Sequence, residues 1–118
     1  MHQHIDLGKK GEEMAAQWLS AKGFDILCRN WRHGRHEVDI IASREAVLHI
    51  IEVKIRRSLV YGQPEESVSR KKLRHILQST AGWLVQFPNH LRLQYDVLAI
   101  TLLAGGQPEF FLIEDVYL

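Results

Sequence analysis

The stretch HEVDIIASREAVLHIIEVK, residues 36–54, decides how this chain folds. Two apolar runs flank the polar segment Ser43-Arg44-Glu45, a pattern that predicts two antiparallel strands joined by a tight turn. Side chains alternate between the faces of a strand, so Glu52 and Lys54 share one face behind two apolar residues. Charged groups buried there without partners would cost roughly several kcal/mol. A compensating partner is therefore expected, and a divalent metal is the leading candidate.

The flanking sequence supplies the remaining elements. We predict a helix over residues 6–22, a short strand over 24–29, a basic connection over 30–35, a long helix over about 67–86, a strand over 91–100 and an edge strand over 110–113. The order αβββαββ predicts an α/β (α+β) fold, in which the first three strands form an antiparallel meander within a mixed sheet. No repeat or linker interrupts the chain, so residues 1–118 are expected to form a single domain.

Composition bounds the function classes. With 46% hydrophobic and 25% charged residues, the chain has the make-up of a soluble globular protein, and its net charge of +1 restricts any basic surface to local patches. The single cysteine, Cys28, excludes an internal disulfide and multi-cysteine metal sites, and we expect it to be a small buried hydrophobe. The sequence has neither a signal-peptide pattern nor a membrane-length apolar run, so we expect a cytoplasmic protein without a membrane partner.

Three elements carry charged residues that suit phosphodiester chemistry. The apolar rows of the first helix place Glu12 at the edge of its buried stripe, and Asp39 and Glu52 lie on neighbouring strands. Asp39 and Glu52 would ligate Mg²⁺, and Glu12 would hold a metal-bound water or a second ion. Lys54 would orient or deprotonate the attacking water. The alternative is that Glu52 and Lys54 lie on a solvated face and pair with each other, because isolated E-x-K triplets are common.

A series of short motifs runs in order through nearly the whole chain. They are Leu7-Gly8, Gly11-Glu12 and Ala15; Asn30 with Arg32; residues 37–42; residues 51–54 with Arg56-Arg57; Tyr61-Gly62; residues 67–69 with Lys72; and Tyr95-Asp96-Val97. In order and spacing they resemble the YraN-like family of small bacterial proteins. That family is similar to archaeal Holliday-junction resolvases and to the PD-(D/E)XK (restriction endonuclease-like) nuclease superfamily.

The resemblance implies a restriction endonuclease-like core and an activity. It implies metal-dependent cleavage of structured DNA with Mg²⁺ or Mn²⁺, and by analogy a homodimer. The nuclease motif maps onto Glu12, Asp39, Glu52 and Lys54, and Glu37 and Lys72 match further positions whose roles are open. Two positions depart from the family pattern: His36 stands where glycine is usual, and Gln94 stands where arginine is usual, with Arg92 two residues earlier.

Basic residues follow the elements that carry these carboxylates. The residues expected to contact nucleic acid are Arg32, Arg35, Arg56, Arg57 and Lys72. Trp31 is either a base-stacking residue or part of the core, and surface arginines are common in any protein. A zinc site formed by His2, His4, His33 and His36 is a weaker alternative, since their spacing is not that of metal ligands on a helix. Two functions thus remain open: a metal-dependent nuclease, and a nuclease-fold module that binds nucleic acid or a protein without catalysis.

Overall fold

The computed structural model describes residues 3–33, 36–57, 74 and 92–116. Within these ranges the elements are helix α1 (Gln3–Ala21) and strands β1 (Asp25–His33), β2 (His36–Arg44), β3 (Val47–Arg56), β4 (Arg92–Thr101) and β5 (Glu109–Ile113). The strands form one mixed sheet, which confirms the predicted α+β class. No helix in these ranges is both long and apolar enough to cross a lipid bilayer.

The sheet has the strand order β1-β2-β3-β4-β5. The first three strands form the predicted antiparallel meander, and β5 lies at an edge, antiparallel to β4. Strand β4 is parallel to β3, with Glu52 opposite Val97. Parallel neighbours require a crossover of about a dozen residues or more, which the segment between β3 and β4 is long enough to supply. The predicted long helix over residues 67–86 lies outside the described residues, apart from the exposed, helical Arg74.

Apolar side chains cover both faces of the sheet. On the face packed against α1, the buried cluster comprises Ala15, Leu19, Phe24, Ile40, Ala42, Ile51, Leu98 and Ile100. On the opposite face, it comprises Val38, Ile41, Leu48, Ile50, Tyr95 and Val97. Trp18 packs against the first cluster, as expected of a core residue, and stacks on Phe110 with ring centroids 5.4 Å apart. Charged residues along β3 therefore lie within a sheet that is apolar on both sides.

Two local predictions are wrong. The connection predicted at residues 30–35 begins too early, because Asn30 to His33 belong to β1 and Trp31 pairs with Val38. Asn30 has a φ of 55°, a conformation that asparagine tolerates better than most residues, and it lies within β1 and does not end it. The turn between β2 and β3 is also shorter than predicted: it consists of Glu45 and Ala46 alone. Both have positive φ (52° and 64°), the conformation of a two-residue type I′ hairpin, which neither residue type signals.

Cys28 differs slightly from expectation. It is partly rather than fully buried, against the second apolar cluster, because the register of β1 on β2 shifts between Ile26 and Cys28. Trp31 is likewise partly buried against this cluster, which favours a packing role over base stacking.

Candidate functional site

Strands β2 and β3 separate at the acidic residues. Their ladder ends at the pair Ile40–Ile51. Beyond this pair, the backbone N–H of Val53 on β3 donates to Oδ2 of Asp39 on β2 at 2.7 Å. A side chain thus takes the place of a ladder acceptor and turns the Asp39 carboxyl toward β3. Because Asp39 and Glu52 follow directly on this last pair, their side chains extend from the same face at the point of separation.

Glu52 and Lys54 form an ion pair within this opening. Lys54 Nζ lies 3.1 Å from Glu52 Oε2, and the side chains are 34% and 11% exposed. The pairing is the one that the alternative interpretation expected, but the solvated face is wrong for Glu52, which is buried. A buried carboxylate requires compensation that a solvated one does not, and Lys54 supplies part of it.

Helix α1 and β1 bring a third carboxylate to the site. Asn30 Nδ2 donates to Glu12 Oε1 at 3.0 Å, so this residue of β1, whose φ is positive, holds the helix side chain in place. Its neighbour Glu13 is exposed and binds Arg29 and Gln17 instead. Of the two neighbouring glutamates, Glu12 and not Glu13 is therefore the one held at the site.

The pKa of Asp39 is raised by burial and by the charges of neighbouring carboxylates. Its pKa is raised from 3.8 to about 6, chiefly because burial disfavours the ionised form. The negative charges of Glu52, Glu12 and Glu37 raise the pKa further, while the hydrogen bond from Val53 opposes the rise. A cation bound among these groups would relieve both the burial penalty and the mutual repulsion. Hard oxygen ligands of this kind suit Mg²⁺ or Mn²⁺, so the donor set fits the metal that the resemblance implies.

Tyr95 is a member of the site to which sequence reasoning assigned no role. Its hydroxyl is buried. Burial raises the pKa of this phenol well above its usual range, and the adjacent Glu52 carboxylate and the Asp39 charge add to the rise. Parallel pairing of β4 with β3 places Tyr95 beside Ile50, two residues before Glu52 on the same face. Only this pairing brings the motif Tyr95-Asp96-Val97 to the carboxylates.

The predicted ligands are near one another without forming a compact trio. Among the described side chains, the group of three metal-ligand types whose donor atoms all lie within 4.8 Å of one another is His49, Asp96 and Glu114. Glu12 and its two partners on the strands do not form such a group.

The basic residues predicted to contact nucleic acid differ in their exposure and in their partners. Arg32 is exposed and pairs with Glu37 at 2.9 Å, and Arg56 is partly buried. Arg57 is exposed and lines a cavity of about 250 Å³ whose wall also includes Lys10, Gly11, Met14, Ile55, Leu102 and Pro108. Arg35 and Lys72 lie outside the described residues, as do the side chains of the four histidines of the zinc alternative.

A second polar cluster lies on the α1 face. His49 Nδ1 is 2.6 Å from Asp96 Oδ2, and both side chains are buried. Gln94 Nε2 donates to Asp96 Oδ1 at 2.9 Å, and Arg92 Nη2 donates to Gln94 Oε1 at 3.0 Å. These contacts account for glutamine at position 94, where the family usually has arginine: the Gln94 amide donates to Asp96, and Arg92 in turn donates to Gln94. Sequence reasoning assigned no role to His49.

Comparison with known proteins identifies the family of this chain. The model of the family described as "Uncharacterised protein family UPF0102" matches residues 11–100. The chain belongs to this family. The match spans Glu12, Asp39, Glu52 and Lys54, and it confirms the family that the sequence motifs resembled.

Relatives in the family are similar along most of their length. A UPF0102 protein of Phocaeicola vulgatus is 39% identical over 98% of this chain and 93% of its own length. A UPF0102 protein of Rhodococcus opacus is 39% identical over 99% and 100%, respectively. One from Chlorobaculum tepidum is 43% identical over 83% and 77%. These names state no activity, so a functional assignment has to come from the site.

Proposed function

We propose that this protein is a metal-dependent nuclease that hydrolyses phosphodiester bonds in structured DNA. One observation carries the proposal: Asp39 and Glu52 lie beside Lys54 at the point where β2 and β3 separate, and Asn30 holds Glu12 on the neighbouring helix. A protein that only bound nucleic acid would gain little from three carboxylates facing phosphates, whereas hydrolysis requires a cation that carboxylates can hold. The proposed setting is the cytoplasm.

Asp39 and Glu52 would hold Mg²⁺ or Mn²⁺, with Glu12 as a further oxygen ligand. The bound ion would supply Lewis-acid stabilisation of the phosphate and lower the pKa of a coordinated water. The other roles belong to the chain. Lys54, 3.1 Å from Glu52, would orient the attacking water or donate to the negative charge that develops on the phosphate oxygens. Tyr95, on the same face of the sheet, would help to orient the Glu52 carboxylate.

Exposed cations near these elements would contact the phosphate backbone. Lys10 and Arg57 flank the cavity formed where α1 passes the end of β3, and they lie two residues from Glu12 and three residues from Lys54 in the chain, respectively. Arg32 is also available, because an ion pair whose arginine is 74% exposed is weak and its partner can be replaced by a phosphate. Symmetric cleavage of a junction further requires two sites, so we propose a homodimer on DNA.

The test is cleavage of labelled four-way junction, flap, single-stranded and duplex DNA in Mg²⁺, Mn²⁺ or EDTA. We expect metal-dependent products on a branched substrate, with a loss of at least about a hundredfold in Glu52→Gln and Lys54→Met. Glu12→Gln should also lose activity. Glu13→Gln is its matched control: the same change one residue away, on an exposed side chain, should leave cleavage unchanged. Absence of cleavage of every substrate in both metals would refute the proposal.

The second candidate is a nuclease-fold module that binds DNA or a protein without cutting. The wider spacing of the three carboxylates and the net charge of +1 favour it. Such a module would bind branched DNA equally well in EDTA and in Mg²⁺, and Glu52→Gln would strengthen binding by removing a negative charge. Gel-shift titrations on the same substrates separate this outcome from catalysis.

A further inference from the structure

The cluster His49, Asp96 and Glu114 is separate from the acidic site described above. His49 and Asp96 extend from the α1 face of the sheet. There the Phe24 ring packs edge-on against the His49 ring, with ring centroids 4.9 Å apart. Glu52 and Tyr95 extend from the opposite face, as the alternation along β3 and β4 requires. The donor atoms of the three cluster residues all lie within 4.8 Å of one another. Nothing in the proposed nuclease chemistry uses them.

We propose that this cluster is a binding site for a divalent transition metal of the Zn²⁺ class. His49 Nδ1, one oxygen of Asp96 and one oxygen of Glu114 would be the protein ligands, and a water would complete a tetrahedral shell. An imidazole in the set favours zinc over Mg²⁺, which prefers oxygen ligands alone. The His49 and Asp96 side chains are 3% and 0% exposed, so two of the three ligands are already withdrawn from water.

The hydrogen bonds around Asp96 are of the kind that orient a metal ligand. Asp96 Oδ1 accepts hydrogen bonds from Gln94 Nε2 and from the backbone N–H of Asp115, both at 2.9 Å, while Oδ2 faces His49. Glu114 Oε1 accepts from Arg44 Nη2 at 2.8 Å. Asp96 thus has one oxygen fixed by two hydrogen bonds while the other faces the imidazole, as is usual for a carboxylate ligand, whereas the ion pair of Glu114 with Arg44 competes with metal binding.

The geometry requires only small adjustments. With metal–ligand bonds of about 2.1 Å, ligand atoms of a tetrahedral site lie about 3.4 Å apart. The His49–Asp96 separation of 2.6 Å would therefore widen by somewhat under 1 Å, and the Glu114 oxygen, no more than 4.8 Å from the other two donor atoms, would approach by at most about 1.4 Å.

Arg44 opposes the ion and so provides a control. Its guanidinium pairs with Glu114 and lies over the Phe24 ring at 4.0 Å, which holds a positive charge beside the site. Removing that charge should tighten metal binding, whereas removing Glu114 should weaken it. A merely structural ion pair would make the two substitutions equivalent.

The experiment is a ZnCl₂ titration of chelator-treated protein, followed by calorimetry and by thermal unfolding, with Co²⁺ absorption as a probe of tetrahedral coordination. We expect one ion per chain at this site, a rise in Tm on zinc addition, and a loss of affinity of at least about tenfold in Glu114→Gln. Arg44→Gln should bind zinc at least as tightly as the parent protein. Glu109→Gln, which changes an exposed carboxylate on β5, should leave binding unchanged.

The same titration in Asp39→Asn/Glu52→Gln protein excludes zinc held at the acidic site. Zinc affinity that survives in this background and falls in Glu114→Gln supports the proposal. It is overturned if zinc has no effect, if Glu114→Gln and Glu109→Gln bind zinc alike, or if binding disappears with Asp39 and Glu52. The outcome does not depend on whether the protein cleaves DNA.

Discussion

Replacing Asp39 by asparagine should stabilise the protein at neutral pH. Asp39 is mostly buried among other carboxylates, and its pKa in the folded protein is raised to about 6. At pH 7 folding therefore has to ionise a carboxyl in an environment that resists it. Asparagine has nearly the same shape and keeps an oxygen that accepts the hydrogen bond from Val53.

The magnitude follows from the pKa. A rise from 3.8 to about 6, at about 1.4 kcal/mol per unit, corresponds to about 3 kcal/mol of destabilisation by the ionised group. Asparagine makes a weaker hydrogen bond to Val53 than a carboxylate does, so the net gain at pH 7 should be about 1–3 kcal/mol. Most substitutions at buried positions destabilise, which makes a gain of this size diagnostic.

The pH dependence has a definite sign. Because the folded-state pKa of Asp39 is the higher one, between about pH 4 and pH 6 the folded protein binds more protons at this residue than the unfolded chain does. The Asp39 contribution to stability therefore falls as pH rises through this window and is constant above it. Asp39→Asn removes this fall, so the two proteins should be equally stable near pH 4 and diverge toward pH 7.

Urea unfolding from pH 4 to pH 8 measures this difference directly. Glu13→Gln is the control, since the hydrogen bond from Arg29 lowers the pKa of that exposed carboxyl and its removal should bring no gain. Mg²⁺ should raise the Tm of the parent protein above pH 6 and not that of Asp39→Asn. Equal stabilities of parent and variant at pH 7, or a variant that is less stable, would refute the reasoning.

Two further predictions concern the backbone. A Cβ on Gly11 would overlap Cδ1 of Ile55, so Gly11→Ala should lower the urea midpoint despite the higher helix propensity of alanine. Because Ile55→Val removes that Cδ1 atom, adding it to Gly11→Ala should restore part of the lost stability. Additive effects of the two substitutions would contradict this close approach. Ala46 has a φ of 64°, so Ala46→Gly should stabilise the β2–β3 hairpin by about 0.5–1 kcal/mol in the same assay, whereas Ala46→Val should destabilise it; equal midpoints for the two variants would refute the turn geometry.

Much of the candidate site was accessible from local sequence. Alternation along β3 places Glu52 and Lys54 on one face without reference to any other element, and helix periodicity assigns Glu12 to the edge of a buried stripe. The role of Asn30 was not accessible. A basic segment containing glycine resembles a loop, and only its pairing with β2 keeps residues 30–33 in a strand, from which Asn30 reaches Glu12.

The sequence by itself determined the family, the α+β class, the antiparallel meander and the identity of the charged residues on β2 and β3, because these depend on periodicity and on motif order within single segments. Only the tertiary structure decided which side chains meet. Parallel pairing of β4 with β3 brings Tyr95 to one face beside Glu52, and Asp96 to the other beside His49. The physical reason is that neighbouring residues on a strand point to opposite faces, so the dipeptide Tyr95-Asp96 divides between two sites. Its partners lie more than forty residues away in sequence, and no local pattern specifies that contact.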